Sequence, residues 1–194
     1  MSREAGHTVS KKRAPEPLDL VQKFVNTRNW LRDYDLLGDV GEAARWLSDE
    51  GFSLDEGISA EELQRVLTLR EAIRAILAAH TLGASGDSNR AAVELDKICE
   101  TSRMRASFAQ EGRPQLLTAS GAVEGFVEAL LVAAVQAQHA GIWQRFKACA
   151  NEDCRWVFYD KSKNHSGNWC VMEICGSRAK MHTYRQRRAS QQIH

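Results

Sequence analysis

The sequence predicts an α+β protein: a mainly helical N-terminal domain with one short β-hairpin, followed by a small treble-clef-like module. Three observations carry this reading. Apolar residues recur at helical spacing in several segments between positions 18 and 139. Two short strand-like runs, 104–110 and 114–119, interrupt them around Glu111-Gly112-Arg113, a plausible hairpin turn. Four of the five cysteines then form two Cys-x4-Cys pairs, Cys149/Cys154 and Cys170/Cys175, with fifteen residues between the pairs.

Residues 1–16 read as a disordered leader, with Lys11-Lys12-Arg13 basic and Pro15 and Pro17 bracketing Glu16. The domain proper spans 17–141. From 18 to about 33, Leu20, Val21, Phe24, Val25 and Leu31 fit a helix. A second, short helix covers 41–48, with Ala43, Ala44 and Leu47 turned inward. Ser59 and Glu62 form a capping box. The helix they start keeps Leu63, Val66, Leu67, Ile73, Ile76 and Leu77 in phase to about Leu82 and stops near Gly83. Its Arg65, Arg70 and Arg74 are expected in surface pairs, for example with Glu61 or Glu71.

After a polar loop at 83–89, Ser88 or Asn89 is placed to cap a helix through Ala92, Leu95 and Ile98 to about Ser102. Cys99 falls on its apolar side and reads as core. The segment 121–139 has the widest apolar face: Val123, Phe126, Val127, Leu130, Leu131, Ala134 and Val135. It is expected to be the central buried helix. Gly141 ends it, and Ile142, Trp143 and Phe146 lead into a module spanning 142–190. Trp30, Trp46 and Trp143 are expected in core or interface, and Trp156 and Trp169 in the small core of the module.

Two close cysteine pairs joined by a hairpin-sized spacer suit a tetrahedral Zn²⁺. Cys149, Cys154, Cys170 and Cys175 complete four ligands and leave no open position, so the zinc would be structural. Disulfides and an iron–sulfur cluster compete for the same residues. The first need an oxidising compartment, and the familiar spacings of the second differ. In the spacer, 155–159 reads as a strand, 161–168 as a turn, and Trp169-Cys170 as the start of a return strand. From about Met172 the composition turns helical, which puts Cys175 in a first helical turn, where the helix dipole favours a thiolate.

On that helix, Ile174, Met181 and Tyr184 form one stripe, expected to pack on the hairpin. Arg178, His182 and Arg185 flank it on one side, and Lys180 and Arg187 on the other. From Arg145 onward there are ten Lys/Arg and four acids, whereas the rest of the chain is acidic by five charges. A four-thiolate zinc centre would trim the local excess to about +4. A basic end on an acidic body points to a nucleic-acid contact there.

At these residues the sequence resembles the bacterial CGNR zinc-finger family. The shared features are the paired cysteines, Trp169-Cys170-x-Met172, Cys175-Gly176-x-Arg178-x-Lys180 and Tyr184-Arg185-x-Arg187. Ser177 stands where the family pattern has Asn. The resemblance implies an N-terminal ABATE domain, looser in its match, at Leu18-Asp19-Leu20, Phe24-Val25-Asn26-Thr27 and Trp46-Leu47. It further implies a stress-induced transcription regulator. DNA would be held by Arg178, Lys180, His182, Arg185, Arg187 and Arg188. By analogy a small-molecule effector would bind near Asn26, Thr27 and Arg70, and the regulator would be a homodimer. A protein- or RNA-docking module is the alternative. No nucleophile elbow, phosphate loop or paired catalytic carboxylates suggest an enzyme. No apolar run approaches the ~20 residues of a membrane span and no signal core opens the chain, so a cytoplasmic protein is expected.

Overall fold

In the computed structural model of the chain, residues 12–52, 54, 57–108, 112, 114–117, 122–178 and 181 are described. The core gathers on α5 (Ala122–His139), as its apolar face predicts. Phe126, fully buried, meets Phe24 edge-on at 5.0 Å, Phe52 at 5.1 Å and Trp46 at 5.7 Å. Such edge-to-face contacts add to the burial of apolar area. The partners arrive from α1 (Leu18–Val25), from α2 (Val40–Asp49) and from the segment that follows α2. Behind them runs α3 (Ala60–Leu82), started by the Ser59/Glu62 capping box and ended at Gly83. The next helix, α4 (Gly86–Glu100), lies along α3.

Among the described residues three antiparallel hairpins complete the chain. The first pairs β1 (Arg28–Asn29) with β2 (Tyr34–Asp35). The second pairs β3 (Arg105–Phe108) with β4 (Pro114–Leu117), as expected from the change of period. The third pairs β5 (Phe146–Ala148) with β6 (Val157–Tyr159) and belongs to the cysteine module. Phe146, Ala148, Val157 and Tyr159 are buried in the same core as α1, α3 and α5. The module is therefore grafted into the domain's core. Among the described residues no helix is long and apolar enough to cross a membrane.

Several elements differ from expectation. The first helix stops at Val25, not near 33, because Asn26 and Thr27 turn their side chains into buried hydrogen bonds. Residues 12–16 are not a free leader. Ala14 is buried, Arg13 pairs with Asp19 at 2.6 Å, and the Lys12 ammonium donates to the Trp169 carbonyl. Residues 1–11 lie outside the described set. Ser85, not Ser88 or Asn89, caps α4, because Ser88 is the third residue of the box and reaches back to the Ser85 N–H. Starting the helix there buries Ala91 and Ile98 and leaves Cys99 exposed.

Arg70 and Arg74 do pair with Glu71, but both are buried, and Arg65 pairs with Glu124 across to α5. The strand at 157–159 pairs with 146–148, not with Trp169-Cys170. Cys149 to Cys154 supplies the tight connection, and Phe146 and Ala148 supply the apolar face that a buried strand needs. Trp46 and Trp143 join the core, whereas Trp30 is exposed beneath the Arg28 guanidinium, 4.8 Å from its ring.

Candidate metal centre

The β5–β6 hairpin turns through Cys149 and Cys154, whose knuckle closes with Cys149 N–H donating to the Trp156 carbonyl at 2.9 Å. Arg155 leaves the knuckle at φ 48°, a left-handed conformation uncommon for a residue with a side chain. After the loop, the Asn168 carbonyl accepts from Ala150 N–H at 2.9 Å, which returns the chain to the knuckle. Cys170 follows. Cys175 lies in a wide π-type helical turn, Met172–Gly176, that continues through Ser177 and Arg178.

All four sulfurs lie within 4.8 Å of one another and all four cysteines are buried. Cys154 and Cys170 sulfurs are 3.5 Å apart, and Cys170 and Cys175 sulfurs 3.7 Å. A disulfide would be ~2.05 Å. A tetrahedron with ~2.3 Å zinc–sulfur bonds has edges of ~3.8 Å. The donor set and spacing fit Zn²⁺. Phe158 is buried against the sulfurs, with Leu31, Trp156, Trp169, Val171 and Ile174 packed around them.

The thiols titrate as a set. Hydrogen bonds from Cys154 and Cys170 lower Cys149 from the usual thiol value, and those from Cys149, Cys154 and Cys170 lower Cys175. Cys149, the main influence on both, raises Cys154 and Cys170. Binding of Zn²⁺ requires thiolates and displaces the remaining protons. A Cβ on Gly176 would displace the Met172 side chain and come within 3.3 Å of Trp169. Ser177 is exposed, and its hydroxyl donates to the Met172 carbonyl at 3.5 Å.

Polar side chains of the helical domain hold this module from behind. The Asn26 amide completes β6 like a neighbouring strand: it accepts from Val157 N–H at 2.8 Å and donates to Val157 O at 2.9 Å. Gln22 donates to the same carbonyl at 3.1 Å. The Arg74 guanidinium bridges the Val25 carbonyl (2.5 Å), the Arg155 carbonyl (2.9 Å) and Glu71 (3.0 Å). His80 Nδ1 meets the Phe146 carbonyl at 2.7 Å, and burial holds its imidazole below the ordinary value. The Thr81 hydroxyl donates to Ala148 O at 2.7 Å.

Asn26, Thr27 and Arg70 come together, but their polar atoms are spent inside the protein. Arg70 grips Asp35 with two bonds at 2.6 and 2.7 Å and donates to the Thr27 hydroxyl at 3.0 Å. Sequence reasoning missed Gln22 and Arg74 as joints. One signal was available: Gln22 and Asn26, four residues apart, break the buried stripe of α1, where polar side chains need partners.

Of the residues expected at DNA, Arg178 is described and exposed, three positions beyond Cys175. Lys180, His182, Arg185, Arg187 and Arg188 lie outside the described residues, as does Tyr184. Met181 is 53% exposed and lines a groove shared with Ala150, Asn151, Glu152 and Asp153 of the knuckle. Between knuckle and helix lies a groove of about 810 Å³, with Trp169, Ile174 and Met181 as apolar lining and Glu152, Asp153 and Glu173 as acids.

Two family models match the chain. That of the CGNR zinc finger covers residues 145–188. That of ABATE, described as "Putative stress-induced transcription regulator", covers residues 18–141. No curated protein sequence matches the chain.

Proposed function

The chain belongs to the ABATE family and carries a CGNR zinc finger behind that domain, and from this premise we propose a cytoplasmic, DNA-binding transcription regulator without catalytic activity. The carrying observation is the position of Cys175. The last metal ligand opens the basic segment, so the metal fixes where that segment starts and Arg178 leaves the site exposed. A basic helix anchored this way suits a DNA groove. Arg178 lines the groove between knuckle and helix together with the acids Glu152, Asp153 and Glu173, which offset part of its charge toward phosphate. Arg178 contacts phosphate or a base edge at the start of the helix, with Lys180, His182, Arg185, Arg187 and Arg188 extending the contact.

The test is fluorescence anisotropy with duplex DNA across a salt series, on zinc-loaded protein. Binding should weaken steeply with salt, and each lost phosphate contact should flatten the slope by about 0.9. Arg178→Ala and Arg185→Ala should each do so. Absence of binding in every zinc-loaded sample refutes the proposal. The second reading, a docking module for a protein or RNA, draws on the acidic groove with its exposed Met181, which suits a basic apolar peptide.

A further inference from the structure

The loop after β6 is built with more care than a solvated turn needs. It runs DKSKNHSGN from Asp160 to Asn168, and Asp160 is its one carboxylate. That carboxylate is 1% exposed and lies 3.0 Å from the Lys147 ammonium, itself 4% exposed. The loop backbone wraps this pair. Ser162 and Gly167 N–H groups donate to Asp160 at 3.0 and 2.7 Å. Lys147 also donates to the His165 carbonyl and to the Gly167 carbonyl at 3.3 Å. Arg145 donates to the Asp160 and Ser162 carbonyls at 3.2 and 3.4 Å. A Cβ on Gly167 would lie 2.7 Å from the Asp160 carboxylate, so only glycine permits this closure.

A buried ion pair is a poor route to stability, since apolar residues of similar size often serve as well. Its effect here is geometric. Drawing the backbone inward leaves residues 161–166 exposed, Lys161, Lys163 and His165 among them. His165 holds φ 51°, in the left-handed region. Among the described residues no carboxylate pairs with Lys161 or Lys163, whereas Arg65, Arg70, Arg74, Arg90 and Lys97 all have one.

We propose that loop 161–166 is a second phosphate-contact element, in which Lys161, Lys163 and His165 grip the duplex backbone beside the groove that the finger helix enters. The proposal rests on the DNA reading above and adds residues outside the helix to it. Because the loop is pinned beforehand, contact costs little ordering entropy.

The experiment compares zinc-loaded wild type, Lys161→Gln/Lys163→Gln and Arg90→Gln/Lys97→Gln by duplex anisotropy from about 50 to 200 mM salt. The third protein loses the same charge on α4. The loop variant should keep its zinc and fold, because both lysines are exposed, and its log–log salt slope should be shallower by about 1.8. The α4 variant should keep the wild-type slope. Wild-type binding with an unchanged slope in the loop variant overturns the loop proposal and leaves the helix reading standing. Equal flattening in both variants also overturns it, since net charge alone would then account for the effect. Absence of wild-type binding overturns the DNA reading and this proposal with it.

Discussion

Replacing Asn26 with alanine should loosen the zinc module from the helical domain while leaving the metal ligands untouched. The side chain makes two buried hydrogen bonds to one peptide unit of β6, at 2.8 and 2.9 Å. Their loss is unequal. The Val157 carbonyl retains Gln22 as a donor at 3.1 Å, so that end forfeits the ~1 kcal/mol net value of an ordinary bond. The Val157 N–H has no comparable substitute, and an orphaned buried donor costs ~1–3 kcal/mol. The total, about 2–4 kcal/mol, is a large part of the ~5–15 kcal/mol that keeps a domain folded. In urea, with a slope of about 2 kcal/mol per molar, the midpoint should fall by about 1–2 M. Gln22→Ala should also destabilise, because its Oε1 accepts from the buried Ala14 N–H at 2.7 Å. The double variant should exceed the sum, because the carbonyl then loses both donors. Arg45→Ala, on the exposed face of α2, should shift stability by less than ~0.5 kcal/mol. An Asn26→Ala midpoint no lower than that of Arg45→Ala would refute the idea that this amide joins the two parts.

Cys154→Ser or Cys175→Ser should reduce bound zinc from about one per chain, measured by metal analysis after dialysis. Chelation of wild-type zinc should lower the main thermal transition, because β5 and β6 sit in the shared core; calorimetry showing an unmoved main peak would contradict that. Lys147→Met should cost about 3–5 kcal/mol by stranding Asp160, and adding Asp160→Leu should recover only part of the loss in a double-mutant cycle, because the Ser162 and Gly167 N–H groups then lose their acceptor. Asp35 predicts an acid dependence. Burial acts to raise its carboxyl, but hydrogen bonds from Arg70 and from Leu37 N–H outweigh it and hold the carboxyl below the ordinary value. The unfolded chain therefore takes up the proton first, so this stability is present above about pH 4 and is lost as pH falls further. Melting temperatures from about pH 6 to 3 should decline less steeply for Asp35→Asn than for wild type; parallel curves would count against it.

What was legible in the sequence depended on the range of the interaction. Ser59 and Glu62 specify a helix start because the two side chains satisfy each other's backbone within one turn. The same logic misled at Ser88, where two serines three apart both look like caps and only the box geometry chooses Ser85. The cysteine pairs were readable for a related reason: tetrahedral sulfur ligation restricts spacing so strongly that few other uses suit it.

The sequence by itself therefore determined the capped start of α3, the apolar face of α5, the four ligands and the basic end. Tertiary structure decided which strand pairs with β6, the burial of Arg70 and Arg74, and the inward turn of Asn26. It also decided that Lys147 and Asp160 pin a basic loop. Each of these answers a demand of burial, that every enclosed polar group find a partner. The partners stand 13 to 131 residues away, so no local pattern announces them.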